Sequence, residues 1–512
     1  MLDLKPPSEN LHAIVEESNR QVVELPFVAL IGLAAVLPIW STCVLPLAIV
    51  WQIGKFAITQ KLPGDGTIPV PKLDSGYVVK DDDIIPRPKR KYDVVIMGAT
   101  GFTGKLCVRH LVKTYGFNNG TVKWAIAGRS QKKLDQVKND IIAEFENGNN
   151  NAPSKQELFD SIDTIIVDSK VPAMMPNLVR DTRAVVCTVG PFCMYSCHVV
   201  EFCAKFGTHY VDISAELDWF RNMMVTWQST AKKTGARLMT LCGCDSVPWD
   251  LTVMRLCDEI KKNDEELVSV TCLDEFVGGI SGGTLLTASM MTSGQTFVAP
   301  TDDPFVKTIQ GSKSMAKTTN DPLSYLVTPV KAPWNDAATS MWKHPFVMAA
   351  VNYDAVTWSQ ALRGAKAPLT YSESCVSPNF VTAMCNGLGL MMGISLLFNP
   401  ITAYLLKNFV FPKPGTGPDM DEMQHKSFLA VYAKGVGSKG SVYESMMHFP
   451  GDAGYLETSR MITEAGLTLA LEEDKLPLLK EGGFFTPSVG MGDAFLKRLM
   501  KTGTWYGMKK VK

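Results

Sequence analysis

Two hydrophobic rhythms run through this chain. Asp93 to Met97 is a short, continuous apolar run of the kind a buried parallel strand needs. Leu106, Val108, Leu111 and Val112 then recur at about helical spacing. The same strand-then-helix unit repeats. Strands are predicted over Val122–Ala127, Thr164–Val167, Ala184–Val189, Thr208–Asp212 and Arg237–Leu241, and helices over Lys132–Phe145, Cys197–Phe206 and Asp218–Lys233. Repeated βα units of this length predict an α/β fold, a doubly wound parallel sheet over residues 91–245. From Asp245 the pattern changes. A helix over Leu251–Ile260, strands over Val268–Phe276, Phe428–Val436 and Ser441–His448, a helical run Thr284–Met291 and glycine turns at 278–279 and 282–284 predict a second, α+β domain over 246–382 and 412–512. Helices Thr458–Leu471 and Asp493–Lys501 close the chain, and residues 300–370 show no clear period.

Two stretches carry no charge. Leu25 to Gly54 is long enough to cross a bilayer core, which takes about 20 apolar residues. Pro38 and Pro46 would kink a helix there, so a bent span and a re-entrant hairpin are both open. Glu16, Glu17 and Glu24 before it do not suit a signal peptide. Trp40 and Trp51 suit an interface, and Lys55, Lys61 and Lys72 after the stretch place that side in the cytosol. Residues 58–90, rich in Pro, Gly and Asp, are expected to be a solvated linker. The second stretch, Ser374 to Leu406, is flanked on both sides by the α+β domain, so both ends must return to one side of a bilayer. An apolar hairpin over 383–411 turning near Asn399-Pro400, or an interfacial helix, is expected; the alternative is the core of a homodimer.

Between the first strand and the first helix lie Gly98, Thr100, Gly101, Phe102, Thr103 and Gly104. Glycines at such a junction permit a tight turn and close approach of a pyrophosphate, and the helix N-terminus offers unpaired N–H groups to the phosphates. The second strand ends in Gly128-Arg129-Ser130, where an NAD site usually has an acid for the ribose hydroxyls. A guanidinium grips a 2′-phosphate instead, so NADP(H) is expected; otherwise Arg129 stacks on adenine or caps the next helix. Asp168-Ser169 ends the third strand and Gly190-Pro191 the fourth, completing the expected cofactor contacts.

Composition narrows the partners. Lys plus Arg and Asp plus Glu balance at 51 each, which excludes a strongly basic nucleic-acid binder. Twelve scattered cysteines have no disulfide rhythm, and Cys193–Cys197 and Cys242–Cys244 lack the second pair or histidines that zinc needs, so no metal site is expected.

The segments MGATGFTG, AIAGRS, VGPFCMY, THYVDISAE, GCDSVPWDL, SGGT, DAGYLE and GGFFTP, in this order, resemble the saccharopine dehydrogenase-like oxidoreductases, the membrane- and lipid-droplet-associated branch of the saccharopine dehydrogenase family. The resemblance spans about residues 91–510. It departs at Ala215, Cys244 and Ser196, all toward the expected substrate side. It implies a Rossmann-type NADP(H) domain, a second domain covering the cofactor cleft and often mediating dimerisation, and a membrane, endoplasmic-reticulum or lipid-droplet location. The function expected is reduction or oxidation of a hydrophobic, lipid-derived carbonyl or activated alkene. Tyr195, Glu216, Asp245 and Ser246 are candidates near the reacting atoms, each with a plain structural alternative. A saccharopine-type amino-acid dehydrogenase is one alternative, weakened by the lack of an Arg/Lys cluster for several carboxylates. A non-catalytic NADP-binding scaffold is the other.

Overall fold

A computed structural model describes residues 72–118, 120–145, 153–278, 284–285, 300–312, 319–320, 326–330, 341–398, 400–411, 413, 415–478 and 481–512, with Pro46 and Val50. The rest of the first charge-free stretch, the glycines at 279 and 282–283 and residues 286–291 lie outside these.

The first sheet is parallel. Its strands β1 (Tyr92–Met97), β2 (Trp124–Gly128), β3 (Asp163–Ile166), β4 (Thr182–Cys187), β5 (His209–Asp212) and β6 (Arg237–Met239) lie within one to three residues of the predicted ones. The spatial order is Gly483–Phe485, β6, β5, β4, β1, β2, β3. Val94, Val95 and Ile96 have no exposed surface, because helices cover both faces; that is why the strand reads as a run rather than an alternation. The chain order reverses between β1 and β4, which opens the crevice where such sheets bind their ligand.

The C-terminal part completes this sheet. Gly483–Phe485 adds a seventh strand parallel to β6. The Thr458–Leu471 helix packs across β1, β4 and β5, and a Cβ at Gly466 would stand 2.5 Å from the Val186 side chain. The nucleotide half therefore draws on residues far beyond 245.

The second sheet runs Trp505–Lys510, Val442–Phe449, Phe428–Gly437, Leu267–Val277, Thr370–Ser377, Met341–His344, Thr328–Val330. Its pairs are antiparallel except Leu267–Val277 with Thr370–Ser377 and the short Thr319–Asn320 with the latter. Helices Val247–Lys261 and Ala349–Leu362 connect it to the first sheet.

Much of the expected solvated linker is docked. Leu73, Tyr77 and Val79 pack on the first sheet's core. Ser75 donates to Glu201 through N–H at 3.0 Å and through Oγ at 2.5 Å, and Trp227 Nε1 donates to the Leu73 carbonyl at 3.1 Å. Arg90 is 5% exposed and donates to the carbonyls of Ile85, Thr182 and Phe206 and to Thr208 Oγ1. Ile85 and Phe206 lie outside the strands and Thr182 begins β4, so the arginine satisfies groups that burial would otherwise penalise.

The second charge-free stretch divides. Ser374–Ser377 belongs to a strand; Phe380–Phe398 is a helix leaning on Met341–His344. Pro400–Leu405 and one π turn, Leu406–Val410, follow it, each in contact with the element before it. The window Phe380–Leu397 has mean hydropathy 1.7 with only 17% of it buried, long and apolar enough for a membrane by length and composition. Phe380, Val381, Met391, Leu405, Phe409 and Val410 are exposed apolar side chains on this segment. Asn399 is outside the described residues.

Candidate cofactor and substrate site

The glycine turn has the backbone that a dinucleotide loop requires. Gly98 sits at φ +91°, in the region that favours glycine, and Gly101 N–H donates to the Gly98 carbonyl at 2.9 Å. A Cβ at Gly104 would fall 2.2 Å from the Gly98 oxygen, so the third glycine lets the helix sit directly on the turn. A Cβ at Gly101 would meet only that same oxygen, at 3.3 Å, and otherwise point into open space. Gly101 is the N-cap of the Phe102–Tyr115 helix, and no side chain caps it. Uncapped N–H groups beside an open space fit a bound diphosphate.

Arg129 stands at the end of β2 with an exposed side chain that makes no hydrogen bond or ion pair to a described residue. It does not cap the Gln131–Phe145 helix; the Ser130 hydroxyl accepts from Lys133 N–H at 3.4 Å there. Asp168 follows β3 and accepts from Lys170 N–H at 3.0 Å, with Ser169 buried beside it. Gly190 is exposed beyond β4 and joined to Pro191 by a cis peptide bond. Thr188 Oγ1 donates to the Met97 carbonyl at 3.1 Å, holding the ends of β4 and β1 together. The predicted cofactor residues thus lie along the carboxyl ends of β1, β2, β3 and β4.

Next to them lies a cavity of about 270 Å³ between the two halves. Cys193, Ala215 to Trp219 and Arg221 line it from the first; Ala350, Val351 and Asp354 line it from the second. Glu216 does not pair with a buried arginine. Its two oxygens accept from the N–H groups of Phe192 and Cys193, both at 2.9 Å, which fixes the turn after Pro191. Arg221 reaches Asp218 at 3.4 Å, Asp354 at 3.2 Å and Asp303 at 3.7 Å. Its charge is therefore spent on acids, and burial still raises the Asp218 and Asp354 carboxyls. Of the family departures, Ala215 lines the cavity, whereas Ser196 is fully buried and donates to the Val189 carbonyl at 3.2 Å. Tyr195 lies under the Lys170 ammonium, 4.6 Å from its ring centre.

Asp245-Ser246 follows β6 and enters the Val247–Lys261 helix, but neither side chain caps it. Protein surrounding Asp245 pushes its carboxyl up to about 7. Ser246 Oγ meets Asn352 Oδ1 at 2.8 Å, on the helix whose first turn lines the cavity. Beneath it Asn352 Nδ2 donates to Glu373 at 2.7 Å, and Tyr371 OH donates to the other Glu373 oxygen at 2.5 Å. Asp274, on the neighbouring strand and the same face, accepts from Trp249 Nε1 at 3.0 Å, while its other oxygen is buried without a partner. Sequence reading misses this pair, because both acids sit inside strands and their partners come from distant helices.

Burial raises both acids, Glu373 to about 7, and the charge of Glu373 raises Asp274 further. Acids raised in the folded state stabilise it fully only below their unfolded range, and that stability is lost as pH rises through the folded values. The loss begins above about pH 4 and continues past about 7. Asp274→Asn, which imitates the protonated acid, is expected to melt like the parent at pH about 4 and to be more stable than the parent at pH about 8. Thermal melts at the two pH values measure the difference.

Comparison with known proteins agrees with this geometry. Residues 94–239 match the family model for the saccharopine dehydrogenase NADP binding domain. A putative trans-acting enoyl reductase of Mycobacterium tuberculosis is 30% identical over 446 residues, covering 81% of this chain and 96% of the relative. A trans-acting enoyl reductase of Mycobacterium bovis is 30% identical over 448 residues, covering 83% and 99%. Among solved structures, saccharopine dehydrogenase (L-Glu forming) of Saccharomyces cerevisiae is similar over 82% of this chain and 99% of its own, with 13% identity and a TM-score of 0.46. The cofactor is NADP(H), and the chain belongs to the saccharopine dehydrogenase family as an NADP-binding oxidoreductase.

Proposed function

We propose that this protein is a membrane-attached, NADPH-dependent reductase of an activated alkene in a hydrophobic, lipid-derived molecule, with its nucleotide half in the cytosol. The observation that carries this reading is the exposed apolar helical segment 380–410, built into the same domain that closes the cavity. The names of the enoyl reductase relatives supply the alkene. The cavity argues against an amino-acid dehydrogenase. Glu216, Asp218 and Asp354 line it, and its one arginine is already paired, so a polycarboxylate substrate would meet repulsion. An endoplasmic-reticulum or lipid-droplet surface suits such a segment.

Gly98, Thr100, Gly101, Phe102, Thr103 and Gly104 would hold the diphosphate, Arg129 and Ser130 the 2′-phosphate, Asp168 and Ser169 the adenosine, and Gly190 and Pro191 the nicotinamide ribose. Bound NADPH supplies the hydride. The chain must supply a proton, and Asp245, whose neighbour Ser246 bonds the helix that lines the cavity, holds one near neutral pH. Asp245→Asn is expected to bind NADPH normally and to turn over at least about 100-fold more slowly. The parent's rate should fall as pH rises above about 7, because the protonated acid is the donor. An unchanged rate in the variant would remove Asp245 from this role.

Attachment is tested on the segment itself. Replacing exposed Phe409 and Val410 by Glu is expected to reduce sedimentation with phospholipid vesicles while leaving NADPH affinity and melting temperature unchanged. Equal sedimentation of variant and parent would reject the segment as the contact. Comparison of the lipids of cells with and without the protein identifies the substrate as the unsaturated acyl species that accumulates in its absence.

A further inference from the structure

The loop that leaves the apolar segment returns to the glycine turn. After Val410 the chain reaches Gly417, which packs against the ring of Phe102, the first residue of the turn's helix. A Cβ on Gly417 would lie 2.4, 2.5 and 2.9 Å from three carbons of the Phe102 ring. No L side chain fits there unless the ring moves. The ring also meets Tyr455, edge-on with centroids 5.4 Å apart. Tyr455 is itself fixed: its N–H donates to Asp452 Oδ1 at 2.7 Å, and its hydroxyl lies 2.8 Å from Thr284 Oγ1. Leu106, Met423 and Tyr455 form a small buried cluster, with Phe102, Met420 and Leu456 packed against it. Phe102 is thus held between two segments more than 300 residues away in sequence, beside the backbone that meets the diphosphate.

We propose that Gly417 is a positioning residue for NADP(H): by leaving room for the Phe102 ring and closing on it, the loop after the apolar segment fixes the geometry of the diphosphate turn. The residue touches no cofactor atom and acts through Phe102. Its effect falls on cofactor affinity, while the chemistry at the far end of the dinucleotide is left as it is. The inference rests on NADP(H) as the cofactor and is independent of what the apolar segment contacts.

The experiment is calorimetric titration of the full chain with NADPH, with a thermal melt of each variant. Gly417→Val is expected to weaken binding by about 10-fold or more while melting close to the parent. Gly417→Ala, whose Cβ meets the same ring, gives a smaller loss and replaces the valine variant if that one does not fold. Gly393→Ala alters the preceding apolar helix at a glycine without a positive φ whose Cβ would meet nothing within 4 Å, and should bind as the parent does. Phe102→Leu shortens the side chain, so Gly417→Val made in that background should bind no worse than Phe102→Leu alone. The proposal is overturned if both Gly417 variants bind NADPH like the parent. It is overturned equally if the Gly417 loss persists in full in the Phe102→Leu background, or if Gly393→Ala loses as much.

Discussion

Gly101→Val should yield a folded protein that binds no measurable NADP(H). The expectation follows from the difference between two glycines three residues apart. At Gly101 a Cβ meets only the oxygen of Gly98, at 3.3 Å, and the remaining methyls enter the open space above the helix N-terminus. On the proposed reading the diphosphate comes there within hydrogen-bond distance of backbone N–H groups, so the side chain competes with the ligand and not with the fold. At Gly104 a Cβ meets the Gly98 carbonyl at 2.2 Å, backbone against backbone, and neither can yield. Gly104→Val should therefore cost about 3 kcal/mol or more of stability, visible as a lowered melting temperature before any ligand is added. If Gly101→Val melts early, the turn is only a structural junction. If it still binds NADPH, the diphosphate lies elsewhere.

The second large effect concerns the choice between the two nicotinamide cofactors. Arg129 is exposed, stands at the end of β2 and is engaged by no described residue, so its charge remains for a 2′-phosphate. Arg129→Glu removes a charge-assisted contact of about 2–3 kcal/mol and adds repulsion, so NADPH should bind about 100-fold more weakly. NADH, which has no 2′-phosphate, should gain from an acid near its ribose hydroxyls. Titration of parent and variant with both cofactors reads the change. Equal affinity of the parent for NADH and NADPH would show that Arg129 has another task.

How much of this was legible depends on where each residue's partners lie. The strands of the first sheet are covered on both faces, so they read as apolar runs, and the glycine turn sits between a strand and a helix that are local in sequence. Thr370–Ser377 is a core strand that does not read as one. Its sequence TYSESCVS is polar, yet seven of its eight residues are buried, because Glu373 finds Tyr371 and Asn352 and Ser377 meets His344. Arg87 and Arg90 read as solvated charges for the same reason. Their acceptors are Glu473 and carbonyls near residues 182 and 206, which no local pattern reveals. The cavity joins the segments after β4 and β5 to a helix from a stretch without periodicity. Gly417 reads as an ordinary loop glycine until the Phe102 ring is seen against it.

The central claim is that bound NADPH reduces a lipid-derived alkene and is not merely held. The most direct measurement is a single-turnover reaction with NADPH deuterated on the transferring face of the nicotinamide ring and an α,β-unsaturated acyl thioester carried in phospholipid vesicles, with the acyl product analysed by mass spectrometry. The account predicts a saturated acyl chain that carries deuterium, formed by the parent and not by Gly101→Val. Tight NADPH binding with the alkene left intact, across acyl thioesters of several chain lengths and in the presence of the membrane, would contradict it and favour a scaffold that binds the cofactor without consuming it.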